Sequence, residues 1–209
     1  MKNTSAKNGF TLVEMLVVIG IITLLVGASI SGFSKMRATA ERAKVQELVS
    51  NTATALAALY QNEGAWPRRL AANGASDGVL DANAALPLAK GGYLSLTMNS
   101  EGTELDGLDK LGVADPWAVA VIKRKGRSAS ESDIVNGEYT IKDHLLHYAL
   151  DMDGDGVVNG ASVGGESVSV RASAIVWCAG KDGKMEPYSK GLKKDDLYSW
   201  TPGMARKAD

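Results

Sequence analysis

From residue 10 to residue 30 the chain runs for 21 residues with Glu14 as its only charge. A helix of that length reaches about 31 Å, and the hydrocarbon core of a bilayer is about 30 Å thick. The expectation is one helix that crosses a membrane. Residues 1–9 are polar and carry Lys2 and Lys7, which hold that end in the cytoplasm and send the remainder outward. A secretory signal also starts with charge, but its apolar stretch is shorter and ends at a small-residue site. Gly27, Ala28 and Ser29 only imitate such a site. A carboxylate at position 14 costs about 2.5 to 3.5 kcal/mol on insertion scales, so it requires a cationic partner.

The helical pattern continues behind the apolar run. Val45, Leu48, Val49, Thr52, Leu56, Leu59 and Tyr60 recur at intervals of three and four, while Lys35, Arg37, Arg42, Lys44, Gln46, Glu47 and Asn51 take most other positions. Gly64 is the expected C-cap and Pro67 follows it, which gives one helix over residues 10–63, about 80 Å long. Two helices broken near Gly32 are the alternative; Gly20 and Gly27 are further points of bending. Residues 65–117 show no sustained period and are expected to form a connecting region, with a short helix near residues 81–90. Strands are expected over residues 118–123, 139–150 and 167–177, the last alternating Val168, Val170, Ala172, Ala174 and Val176. The fold class is therefore α+β: a long N-terminal helix, with a membrane-spanning half (10–33) and an amphipathic half (34–64), packed on a small antiparallel β-sheet within residues 118–209.

With 23 basic and 24 acidic residues, the chain lacks the positive field that binding to nucleic acid uses. Cys178 is the single cysteine, so no intrachain disulfide is possible, and a small buried thiol at a strand end is its expected role. His144 and His147, three apart on a strand, would face opposite ways and do not make a metal pair. The basic stretch at residues 123–127 suits a solvated hairpin connection, or a contact with acidic lipid or a partner. No nucleophile and base pair, zinc spacing or phosphate loop is present, which points to a structural subunit and not an enzyme.

The chemical signal in the second half is Asp151-Met152-Asp153-Gly154-Asp155-Gly156-Val157-Val158-Asn159. Oxygen ligands at loop positions one, three and five, a glycine at six and a carbonyl at seven open an EF-hand-type calcium loop. Asp151, Asp153, Asp155 and the Val157 backbone fill those places, and Asn159 suits position nine. Ser162 stands where a bidentate glutamate is usual, which leaves Glu166 or a water as the final ligand. The other reading is an Asp/Gly turn without an ion.

The segment Lys7-Asn8-Gly9-Phe10-Thr11-Leu12-Val13-Glu14-Met15-Leu16 resembles the leader junction of type IV pilin-like proteins. The resemblance implies that residues 1–9 are a leader, that a prepilin peptidase cuts between Gly9 and Phe10 and methylates Phe10, and that the new ammonium pairs with Glu14 of a neighbouring helix. Trp66-Pro67, Gly91-Gly92-Tyr93-Leu94, Asp115-Pro116-Trp117, the turn at Gly180-Lys181-Asp182-Gly183 and the segment from Asp196 to Trp200 are similar in order to the major pseudopilin of type II secretion. That likeness implies a second calcium site with Asp182 and Asp196 as carboxylate ligands, Asp195 less firmly, and Lys181, Lys184, Lys193 and Lys194 reducing its negative potential. The loop at Asp151 is an insertion beyond that pattern, and Ala118-Val119-Ala120 replaces a polar turn. The partners implied are copies of the chain in a helical filament, the prepilin peptidase, an inner-membrane assembly platform with its ATPase, minor pseudopilins and membrane lipid. The alternatives are a type IV pilus subunit, from which the lone cysteine leans away, and a membrane-anchored calcium-binding module that does not polymerise.

Overall fold

The computed structural model describes residues 10–71, 76–191, 195–201 and 204–207. The expected leader, with Gly9, lies outside the described residues. The chain divides into two compact units, residues 1–41 and residues 42–209.

Helix α1, Leu12–Glu63, is continuous and begins in the first unit; no break interrupts it near Gly32. Every described side chain from residue 10 to residue 27 is exposed, Leu24 by 74%. Among the described residues no helix is long and apolar enough to cross a membrane. The side chains of residues 28–32, where the apolar run ends, lie outside that set.

In the second unit α1 is amphipathic as its spacing requires. Val45, Val49, Leu56 and Leu59 are buried against Leu146, against Tyr148 and Leu150 of β4 (His147–Leu150), and against Val176 and Cys178 of β7 (Ala174–Cys178). Each such aliphatic side chain contributes about 1.5–3 kcal/mol on full burial. Gly64 ends the helix at φ +70°, and its N–H donates to Tyr60 O at 2.9 Å.

β4 and β7 are the centre of an antiparallel sheet whose order is β1 (Asp77–Val79), β4, β7, β8 (Leu197–Tyr198). Alternation sends Val176 and Cys178 to the α1 face and Ile175 and Trp177 to the other. There they pack with Val158, Val163, Val168 and Val170 of a second antiparallel sheet, β5 (Val158–Val163), β6 (Glu166–Val170) and β9 (Ala205–Lys207). A hairpin of β2 (Ile134–Asn136) and β3 (Tyr139–Thr140) completes the strands among the described residues. The fold is α+β, with the N-terminal helix packed against a small antiparallel sheet.

Several local expectations are corrected. Residues 118–123 are not a strand: they lie in helix α3, Pro116–Lys125, because Asp115 caps it and Pro116 occupies its first turn. The basic stretch at residues 123–127 is accordingly the last turn of that helix, its Gly126 cap and part of a 3₁₀ turn, Gly126–Ser128, not a hairpin connection. Residues 139–150 are broken by a 3₁₀ turn, Lys142–His144, since Asp143 Oδ2 takes the N–H and hydroxyl of Thr140 at 2.7 and 2.8 Å. Residues 167–177 contain two strands, β6 and β7, which belong to different sheets. The connecting region holds the expected helix, α2 (Ala82–Lys90), capped by Asp81, and also β1.

Candidate functional site

The start of α1 is fixed by a reciprocal pair. Thr11 Oγ1 accepts from the Glu14 N–H at 3.3 Å, while Glu14 Oε2 accepts from the Thr11 N–H at 2.8 Å and from its hydroxyl at 2.9 Å. This is a capping box, and its signature, Thr-x-x-Glu ahead of an apolar run, is a sequence signal that the membrane argument for Glu14 passed over. Phe10 precedes it and is 75% exposed.

The loop after β4 gathers the first carboxylate cluster. Ligand oxygens of Asp151, Asp153 and Asp155 lie within 4.8 Å of one another, the one such trio among the described residues. Asp151 is buried; its Oδ1 and Oδ2 accept from the N–H groups of Gly154 and Gly156, each at 2.8 Å. Asp155 Oδ1 accepts from the Val157 N–H at 2.7 Å. Gly154 and Gly156 have φ of +75° and +82°, which L side chains adopt only with strain. The Asp153 carboxyl is pushed up by its hydrogen bond with Asp151, then by burial and by the charge of Asp155. A divalent cation would relieve that crowding.

The loop is tied to the end of α1. Trp66 stacks on Tyr60, with ring centroids 4.6 Å apart, and its Nε1–H donates to Asp151 O at 2.6 Å. Asn159 is exposed on β5. Glu166 turns its two oxygens to Ser189, accepting from its N–H and hydroxyl at 2.8 and 2.7 Å. Ser162, also on β5, directs its N–H to Asp77 Oδ2 at 3.5 Å.

The second cluster is a loop held by its own amides. Asp195 Oδ2 accepts from the N–H groups of Lys181 and Asp182 at 2.7 and 3.1 Å, and Asp182 Oδ1 from that of Lys184 at 2.9 Å. Asp196 Oδ2 accepts from the Glu186 N–H at 3.2 Å and the Tyr198 hydroxyl at 3.3 Å, whereas its Oδ1 is buried without a protein partner. Burial pushes Asp196 up to about 7, and the charges of Asp195 and Asp182 add to this. Lys184 Nζ pairs with Glu186 at 3.2 Å; Lys193 and Lys194 lie outside the described residues. Among the described residues, Asp182 and Asp196 do not join a converged trio of side chains.

Cys178 is buried and its thiol is pushed up to about 12 by burial, with the charges of Asp115, Asp196 and Asp195 acting in the same direction. His147 stacks on Trp177 at 5.7 Å, and burial lowers it. His144 is fully buried, with Nδ1 2.6 Å from Asp115 Oδ2. The two histidines are separately engaged.

Residues 4–30 match the family model described as the prokaryotic N-terminal methylation motif. No curated protein and no solved structure matches the chain. That motif is found in type IV pilins and pseudopilins, and it carries with it processing by prepilin peptidase and assembly into filaments in general. Over residues 4–30, then, the chain is similar to the N-terminal segment that type IV pilins and pseudopilins share.

Proposed function

We propose that the chain is a structural subunit of a type II secretion pseudopilus, drawn from the inner membrane into a helical filament that drives protein export. The observation that carries this reading is the first unit's helix: its described apolar side chains are exposed on every side from residue 10 to residue 27. Such a surface needs lipid around it before assembly and the helices of neighbouring copies afterwards. Cleavage at Gly9 creates an ammonium on Phe10, and a neighbour's Glu14 answers it in that apolar setting; a misplaced subunit would bury both charges unpaired. This association is head-to-tail and does not close, which is what makes a fibre. The assembly platform, its ATPase and minor pseudopilins act as partners in this reading, and the globular domain lies in the periplasm.

Calcium belongs to the same proposal as a structural clamp. Asp151, Asp153 and Asp155 fit it through their converged oxygens, with the Val157 carbonyl and Asn159 as further ligands. The buried, unpartnered Asp196 Oδ1 supports a second ion held with Asp182. When bound, the ion would supply positive charge to the crowded carboxylates and link the two ends of each loop.

The test is deletion and complementation in the source bacterium. Loss of exoprotein release into the medium, with surface motility and adhesion intact, is the expected result. Loss of motility with secretion intact would assign the chain to a type IV pilus instead.

A further inference from the structure

A cleft of about 290 Å³ lies where the turn at Arg69 and the first turn of α2 meet the loop that carries Lys110. It shares no residue with the carboxylate loops or the helix start. Arg69, Asn83, Thr103, Glu104 and Lys110 line it together with the buried Leu105. Its volume is close to the lower end of the range for small-molecule pockets, about 300–1,000 Å³, and suits a ligand of monosaccharide size.

The two cations are held by neutral partners. Arg69 Nη1 donates to Asn83 Oδ1, and Lys110 Nζ donates to the carbonyls of Gly126 and Arg127 at 3.0 and 2.8 Å. Among the described residues neither forms an ion pair. Most of the guanidinium donors of the exposed Arg69 and the third ammonium proton of the half-buried Lys110 therefore remain for a ligand. Lys110 reaches the turn that carries Arg127, and Asp133, held below the usual carboxylate range by its hydrogen bond with Lys125 and also by the charge of Lys110, offsets part of the positive charge there. Glu104 has the opposite role to the two cations: as an acceptor on the same wall it favours hydroxyl donors and disfavours a bare polyanion.

We infer that this cleft binds a sugar bearing one oxyanion, a carboxylate or a phosphate, seated between Arg69 and Lys110 with its hydroxyls toward Glu104, Asn83 and Thr103. The inference is independent of the filament reading. Calorimetric titration of the full chain in detergent with glucuronate, glucose 6-phosphate, glucose and inorganic phosphate tests it. At least one of the two sugar acids should bind at least about tenfold more tightly than glucose, as loss of a charge-assisted contact implies, and inorganic phosphate should be the weaker anion. Binding of glucuronate alone would identify a carboxylated sugar, and of glucose 6-phosphate alone a phosphorylated one; either upholds the site. Arg69→Met should lose this preference at an unchanged melting temperature, and Lys110→Met serves as the second variant should the first unfold. Glu104→Gln should narrow the gap between sugar acid and inorganic phosphate. Glucose binding as well as both acids, no binding of either acid, or undiminished preference in folded Arg69→Met and Lys110→Met would overturn the inference.

Discussion

Glu14 has two tasks that Glu14→Gln separates. In the single chain its Oε2 closes the capping box with the N–H and hydroxyl of Thr11. Glutamine does this equally, because the box needs only a side-chain acceptor of that reach at the third helical position. In the proposed filament its charge meets the α-ammonium of a neighbour's Phe10, and glutamine has no charge to offer. The substitution therefore preserves a cap worth about 0.5–2 kcal/mol and leaves an ammonium uncompensated in an apolar setting. Breaking a buried pair from one side costs about 3–5 kcal/mol, which at about 1.4 kcal/mol per decade lowers subunit addition by about a hundredfold to a few thousandfold. Insertion into the membrane should not suffer, since an intramembrane charge has been removed. The assay compares sheared filament with membrane-pool subunit by immunoblot in a complemented deletion strain, for Glu14→Gln and Glu14→Ala together. Both variants should fill the membrane pool and leave the filament fraction empty. Filaments from Glu14→Gln within about twofold of the unmutated level, with Glu14→Ala deficient, would refute the pairing and leave Glu14 a helix cap.

Intact-mass analysis of membrane-extracted protein should show loss of residues 1–9 and gain of one methyl group; an unprocessed chain or a cut near Ser29 would sink that expectation. Calcium at a hundredfold excess over Kd should stabilise the folded chain by about 2.7 kcal/mol, several degrees in melting temperature, with magnesium doing much less. Asp153→Ala with Asp155→Ala should remove the contribution of the first loop, and unchanged melting curves with and without chelator would reject the clamp. Asp196 is held above its unfolded value, so in chelator the folded state binds the extra proton and stability should fall as pH rises from about 4 to about 7, the value to which it is pushed. Asp196→Asn should flatten that fall, and an equal slope in the variant would assign the dependence elsewhere.

The long helix was readable because Val45, Val49, Leu56 and Leu59 keep one face for 15 residues, and the same residues enter the core. α2 was readable from its composition and from Asp81 at its start. α3 was misread because Ala118-Val119-Ala120-Val121-Ile122 satisfies a strand pattern as well as a helical one. Its start signal, Asp115 followed by Pro116, was in the sequence and outranks that pattern, because the cap and the fixed proline φ act where the helix must nucleate. The alternation from Val168 to Val176 was real but ran through a reversal. Period two survives such a turn, and only pairing of β6 with β5 and β9, and of β7 with β4 and β8, reveals it. β1, at three residues, is too short to show a period.

The carboxylate loop at Asp151 was legible because its ligands are local: residue types at positions one, three and five converge whenever the glycines allow the turn. What supports each cluster was not, because it comes from distant parts of the chain. Trp66 reaches Asp151 O across 85 positions. Asp115 spends Oδ1 on the N–H groups of Trp117 and Ala118 and places Oδ2 2.6 Å from His144, 29 positions away. Burial holds Asp115 above the usual carboxylate range against the pull of His144, so the pair is sheltered from solvent and is strengthened by that shelter. A Cβ on Gly183 would meet His144 Nε2 at 2.6 Å, and Gly183 has φ +75°. The turn that carries Asp182 therefore rests on the imidazole that Asp115 holds. One carboxylate thus begins α3 and holds the ring against which Gly183 packs, so the turn that carries Asp182 is supported by residues that no local motif names.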